Sequence, residues 1–161
     1  KQMEQLSKVK GILENTHADV RHIAHNLLPT VLEKEGLVKA VSHFAFEINE
    51  TGLIHILATD KDSKAEQLSL QLQLMLFRVI QELVNNIIKH SQAQNAEIIF
   101  SNSPTGLQIE ISDDGIGYED TNDTSNQGLY SITQRLKSIG GNFKITKRKS
   151  GGTQAKVVIT V

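Results

Sequence analysis

The chain has no cysteine and no tryptophan among its 161 residues, and only two prolines. Without cysteine there can be no disulfide scaffold, no thiolate-bound zinc or iron–sulfur centre and no thiol nucleophile. The absence suits a reducing compartment, and a cytoplasmic setting is expected. Charge of one sign is also missing. The net charge of -1 leaves no basic stripe, so no nucleic-acid contact is expected. No apolar run approaches the ~18–20 residues that a membrane-spanning helix needs, and no signal peptide is visible. There is no internal repeat and no low-complexity tract. What is present, 39% hydrophobic and 22% charged residues, is enough for a folded core. The length suits one domain with a short appendage. A first residue Lys1 without methionine raises the expectation of a fragment.

Residues 78 to 90, Arg-Val-Ile-Gln-Glu-Leu-Val-Asn-Asn-Ile-Ile-Lys-His, form the pattern around which the chain is read. At about 100° per residue, Arg78, Gln81, Glu82, Asn85, Asn86 and Lys89 share a polar face, and Val79, Ile80, Leu83, Val84, Ile87 and Ile88 an apolar one. Glu82, Asn86 and His90 follow at i, i+4 and i+8 along one edge, and Lys89 reaches the same patch. A carboxylate, two amides and two nitrogen bases suit a cation and phosphates. A solvated amphipathic face looks the same in isolation.

Residues 1 to 28 read as a long helix. Leu6, Val9, Leu13, Thr16, Val20, Ile23 and Leu27 alternate steps of three and four, a heptad seam that needs a partner. His17, His22 and His25 lie on it at spacings poor for a metal site. Pro29 is expected to stop this helix and residues 31 to 37 to form a turn around Gly36. A helix over 37–50, a strand over 53–58 and a polar linker over 59–67 follow. Leu68 to Leu74 alternates like a strand but carries helix formers and a candidate N-cap, Ser69. Most of it joins the helix ending near Ser91. Strands are expected over 96–101, 107–112, 142–148 and 153–161, with a hairpin turn at 103–106. A helix over 129–139 is closed by Gly140 and Gly141. The sum is an α/β (α+β) arrangement of helices on a mixed sheet of four to five strands.

Strand 107–112 runs into Asp113-Asp114-Gly115-Ile116-Gly117. A carboxylate followed by alternating glycines lets backbone approach a flat ligand, and Asp113 can accept from an exocyclic amine such as that of adenine. A wholly polar run, Glu119 to Gln127, has the look of a mobile lid. Gly128 opens a helix whose first amides can face an anion. Gly151-Gly152-Thr153 precedes the last strand.

These stretches, in this order, resemble the Bergerat-type ATP-binding fold of sensor histidine kinases, gyrase-type topoisomerases, Hsp90-type chaperones and mismatch-repair ATPases. Residues 81–90 look like the family's N box, 113–117 like its first glycine box, 128–131 like the second and 151–153 like the last. Asn126 stands where many members have a glycine. The resemblance covers roughly residues 37 to 161. It implies a sandwich in which helices cover one face of the sheet. Residues 21–37 further resemble the second dimerisation helix and exit turn of histidine kinases that partner NarL-type regulators. That places 1–30 in a dimerisation and phosphotransfer hairpin and 31–161 in the ATP-binding catalytic domain.

The resemblance also implies roles. Asn86 would offer its amide oxygen to Mg²⁺, with Asn85 as the competing candidate and Glu82 holding a metal-bound water. Glu82 and Asn86 are the catalytic candidates. Lys89 and His90 would lie near the phosphates of ATP, Asp113 would take the adenine amine, and Gly115 and Gly117 would shape the pocket. Gly128 and Leu129 would present amides to the phosphates. Thr153 would support Asp113, or serve merely as a strand residue. The γ-phosphate would pass to a histidine and then to a response-regulator aspartate. No His-Asp or His-Glu pair occurs, so the acceptor is expected upstream of Lys1. A homodimer through the N-terminal helices and a NarL-type regulator are the expected partners, and membrane attachment of a parent protein stays open. The alternatives are a Bergerat-fold ATPase, a nucleotide-binding clamp and an anti-sigma-type serine kinase.

Overall fold

The structure, a computed structural model, describes residues 28–118 and 127–160. The heptad seam and its histidines, the polar run over 119–126 and Val161 lie outside the described residues. The elements run α1 (Leu28–Glu50), β1 (His55–Lys61), a 3-10 turn (Ala65–Gln67), α2 (Leu70–His90), β2 (Asn95–Ser103), β3 (Gly106–Asp113), α3 (Gln127–Lys137), β4 (Gly141–Lys147) and β5 (Thr153–Thr160). The five strands lie in the order β1-β2-β3-β5-β4. β1 pairs parallel with β2, and the remaining pairs are antiparallel.

Alternation along the strands builds the core. Ile98 of β2 lies opposite Ile111 of β3, and Ile111 opposite Ala155 of β5. The next inward row is Phe100, Ile109 and Val157. All six are buried, and the helices cover this face with Val41, Phe44, Ile48, Leu76, Ile80, Leu83, Val84, Ile132 and Leu136. Phe44 meets Phe77 edge to face, with centroids 5.7 Å apart, joining α1 to α2. Each fully buried aliphatic side chain contributes about 1.5–3 kcal/mol, so this layer dominates stability. The opposite face carries Glu97, Gln108, Glu110, Gln154 and Lys156, with Gln154 Nε2 donating to Glu110 Oε1 at 2.8 Å.

The edge strand β1 is blunted by a side chain. Asn49 of α1 donates from Nδ2 to the Ile56 carbonyl at 2.9 Å and accepts from the Ile56 N–H at 2.7 Å. Both groups would otherwise form an open edge. Ser69 caps α2, accepting from the Leu72 N–H at 3.4 Å, which resolves the ambiguity of 68–74 in favour of helix.

Three expectations need correction. Pro29 is the second described residue of α1 and residues 31–35, expected as a turn, are helix; the helix that Pro29 was expected to stop lies outside the described residues. The pyrrolidine fixes a φ that a helix accepts, and the restriction on the residue before proline is a bias that this chain overrides. The break comes at Gly36, with φ 83 and ψ -178, a conformation open essentially to glycine. The strand expected over 53–58 sits two to three residues later, over 55–61. Gln81 is not on a solvated face. It is 5% exposed, and Arg78 Nη1 donates to its Oε1 at 3.1 Å.

Candidate active site

A cleft of about 420 Å³ opens between α2, the end of β3, the start of α3 and the β4–β5 pair. Leu83, Ile87, Ile111, Ile116, Leu129, Ile145 and Ala155 give it apolar walls, and Asn86, His90, Ser91, Asp113, Tyr118 and Thr153 supply polar groups. Its size and lining suit a flat heterocycle with a few directional contacts.

Asp113 forms the floor. It is an inward-facing residue at the end of β3, and it is 2% exposed. Its Oδ1 accepts from the Gly115 N–H at 2.8 Å. Its Oδ2 is buried and has no hydrogen-bond partner among the described residues. A buried acceptor without a donor is unfavourable unless a ligand completes it. An oxygen so placed can accept from a donor such as an aromatic amine.

The loop after Asp113 is clamped on both flanks. On the α2–β2 side the Ile116 N–H donates to the Ser91 carbonyl at 2.8 Å, and a Cβ on Gly115 would collide with that carbonyl. Asp114 turns away from the cleft. Its Oδ1 accepts from the Gln94 and Asn95 N–H groups, both at 2.9 Å, and its Oδ2 from Asn95 Nδ2 at 2.8 Å. The Asn95 side chain and backbone hold its carboxyl below the usual carboxylate range. On the β5 side, Gly152, with φ 80, abuts the Asp113 carbonyl so closely that any Cβ would overlap it. Arg148 Nη1 donates to the same carbonyl at 3.0 Å.

The start of α3 meets the polar edge of α2. A Cβ on Gly128 would lie 3.1 Å from Glu82 Oε1 and 3.9 Å from Asn86 Oδ1. Glycine therefore lets the first amides of a helix approach the carboxylate and amide selected from the sequence. Asn86, His90, Asp113, Gly117, Leu129 and Thr153 all line the cleft, with Gly115 at its edge and Gly128 against Glu82 and Asn86. Thr153 would face Asp113 if the β3–β5 ladder, which ends at Ser112–Gln154, continued by one pair. Lys89 is exposed and, like Asn85, does not line the cleft. The reading from sequence missed Gly152 as a packing surface and Arg148 altogether. The Gly-Gly pair was a signal for the first, but a lone arginine in a basic turn carries none for the second.

Comparison with known proteins agrees with this geometry. The chain is similar to the sensor histidine kinase ComP of Bacillus subtilis, at 32% identity over 159 residues, covering 97% of this chain and 20% of ComP. It is 25% identical over 162 residues to the sensor histidine kinase LiaS of the same organism, covering 100% of this chain and 44% of LiaS. It therefore spans less than half the length of either relative. Among solved structures, the blue-light activated histidine kinase of Erythrobacter litoralis EL346 has a TM-score of 0.63 at 19% identity, covering 77% of this chain and 41% of that one, a likeness of fold alone. The model of a family described as histidine kinase-, DNA gyrase B-, and HSP90-like ATPases matches residues 71–161, which hold the cleft, the polar edge of α2 and every glycine that shapes them. More than half of the chain is thus accounted for, and it belongs to this family of ATPases.

Proposed function

We propose that this chain is the ATP-binding catalytic part of a sensor histidine kinase, and that Asp113 recognises the adenine amine. The observation that carries the reading is the buried Asp113 Oδ2, left without a partner at the floor of an apolar-walled cleft. ATP follows from the family, and sensor histidine kinase relatives that match nearly the whole chain favour a kinase over a hydrolase or a clamp.

Asn86 and Glu82 would hold Mg²⁺, Asn86 through its amide oxygen and Glu82 through water. Among the described residues no three His, Asp or Glu side chains gather to bind an ion by themselves. Mg²⁺ would then draw its remaining oxygen ligands from phosphate and water, as it ordinarily does. Its chemistry there is to neutralise charge on the β- and γ-phosphates. The chain's own residues orient the base, present the Gly128 and Leu129 amides and keep Lys89 and His90 at the solvent end. In the transfer, the bond from the γ-phosphorus to the bridging oxygen breaks, a phosphorus–nitrogen bond forms at an acceptor histidine, and ADP leaves. Positioning and charge neutralisation are the main demands of such a step.

The acceptor would lie on a helix preceding residues 1–30, a response regulator of the NarL-partner type would take the phosphoryl group, and pairing of N-terminal helices would make a homodimer. The boundary near residue 30 is supported by Leu32, which is 1% exposed within the core of the ATP-binding unit. No helix among the described residues is long and apolar enough to cross a membrane. Calorimetric titration with a non-hydrolysable ATP analogue, with and without Mg²⁺, tests the reading. Micromolar to millimolar affinity that rises with Mg²⁺ is expected, and wild-type affinity in both Asp113→Ala and Asn86→Ala would refute the site.

A further inference from the structure

We propose that Arg148 is a positioning residue for base recognition, fixing the aim of the Asp113 carboxylate. The inference rests on the reading of Asp113 given above. Asp113 stands one residue beyond the last β3–β5 pair, Ser112–Gln154. Its carbonyl points to the β5 side, where Gly152 abuts it, yet no strand N–H of the ladder reaches that far. Arg148 supplies the donor instead, Nη1 to oxygen at 3.0 Å. The arginine is held in place by its own turn. Its N–H donates to the Gly152 carbonyl at 2.9 Å, and its carbonyl accepts from the Gly151 N–H at 3.2 Å.

Fixing this carbonyl fixes the peptide plane between Asp113 and Asp114. That plane sets the direction of the next turn, whose Gly115 N–H anchors Asp113 Oδ1. With Oδ1 anchored, the plane of the carboxylate decides where Oδ2 points. The far flank of the loop is tied independently through Asp114 to Gln94 and Asn95. Loss of the arginine therefore leaves the loop attached and disturbs its aim. Arg148 is otherwise exposed, so its replacement removes no core packing.

The test separates aim from affinity. Wild type, Arg148→Met and Arg148→Lys are titrated by calorimetry with ATP and with purine riboside triphosphate, which lacks only the exocyclic amine, each with Mg²⁺. Wild type is expected to favour ATP by about tenfold or more, the range for a hydrogen bond to a charged group. In Arg148→Met this preference is expected to shrink by about threefold or more, at the scale of one hydrogen bond, with affinity for the purine analogue nearly unchanged. Arg148→Lys is expected to keep most of the preference, because the contact is a single donor and not a two-pronged one. Loss of a positive charge near the phosphates would weaken both nucleotides equally, so an equal loss, or an unchanged preference, overturns the proposal. Arg148→Gln, neutral and shorter, gives the same readout should Arg148→Met fold poorly. A wild type without preference would instead overturn the role of Asp113 itself.

Discussion

The two ends of the cleft are built differently. At the Asp113 end, the carboxylate is 2% exposed, two glycines press backbone against backbone, and the loop is tied on both flanks. At the other end, half-buried Asn86 and exposed His90 line the cleft from a single helix, with half-buried Glu82 one turn before Asn86 and exposed Lys89 outside the lining. The first end is organised before a ligand arrives. The second presents half-buried and exposed side chains from one helix, with no comparable backbone contact to fix their arrangement. Binding and folding should therefore be entangled at the backbone contacts of the first end, where Gly115 and Gly152 press against carbonyls, and separable at single side chains.

The strongest way to break this contrast is Gly152→Val. A side chain there must overlap the Asp113 carbonyl and adopt a left-handed backbone. Strain and displacement together are expected to remove about 2–4 kcal/mol of stability, read by urea unfolding, and to abolish nucleotide binding. Asp113→Ala should weaken ATP by about 10- to 100-fold in calorimetry, the range for a hydrogen bond to a charged group. Its stability should change by less than about 1 kcal/mol, since the lost bond to Gly115 is offset by removal of an unsatisfied buried oxygen. Asn86→Ala probes the other end. It should lose most of the Mg²⁺-dependent gain in ATP affinity while its urea midpoint stays within about 0.5 kcal/mol of wild type. A large stability loss in that variant would erase the distinction between the ends.

The smallest expected effect is in pH dependence. Asp114 has a folded pKa below its unfolded value, because Asn95 and Gln94 donate to its ionised form. Its stabilising contribution is thus present above the unfolded pKa, about 4, and is lost as pH falls through the lower folded value. The difference in melting temperature between wild type and Asp114→Asn should hold at neutral pH and shrink only at acid pH. A difference that grows on acidification would contradict the assigned contacts.

Much of the cleft was legible in sequence because its residues carry local constraints. Glu82, Asn86 and His90 share one helix edge by periodicity alone, and a carboxylate ahead of alternating glycines marks a strand end near a ligand. The fold class was readable for the same reason, from strand alternation and the apolar stripe of α2. Contacts distant along the chain were not. Arg148 acts on Asp113 from 35 residues away, and Glu66 acts on Leu37 from 29. Gln81 falls by angle at the edge of the polar face of α2, but the fold buries it and pairs it with Arg78. Gly36 is the break that its residue type signals, but the helix formers before it extend α1 through residues 31–35, where a turn is expected. Proline fits a helical φ, while φ 83 at Gly36 does not continue a helix.

That break at Gly36 has a mechanical consequence. The carboxylate of Glu66 fills the space a side chain would need at Gly36, and it accepts from the Leu37 and Val38 N–H groups, each at 3.0 Å. The start of the second half of α1 is thereby bolted to the connection between β1 and α2. The joint at Gly36 is thus a change of helix direction pinned on one side by a carboxylate. Unwinding the next helical turn would cost two hydrogen bonds to one carboxylate. Moving the second half of α1 away from the β1–α2 connection would therefore require both hydrogen bonds to Glu66 to break.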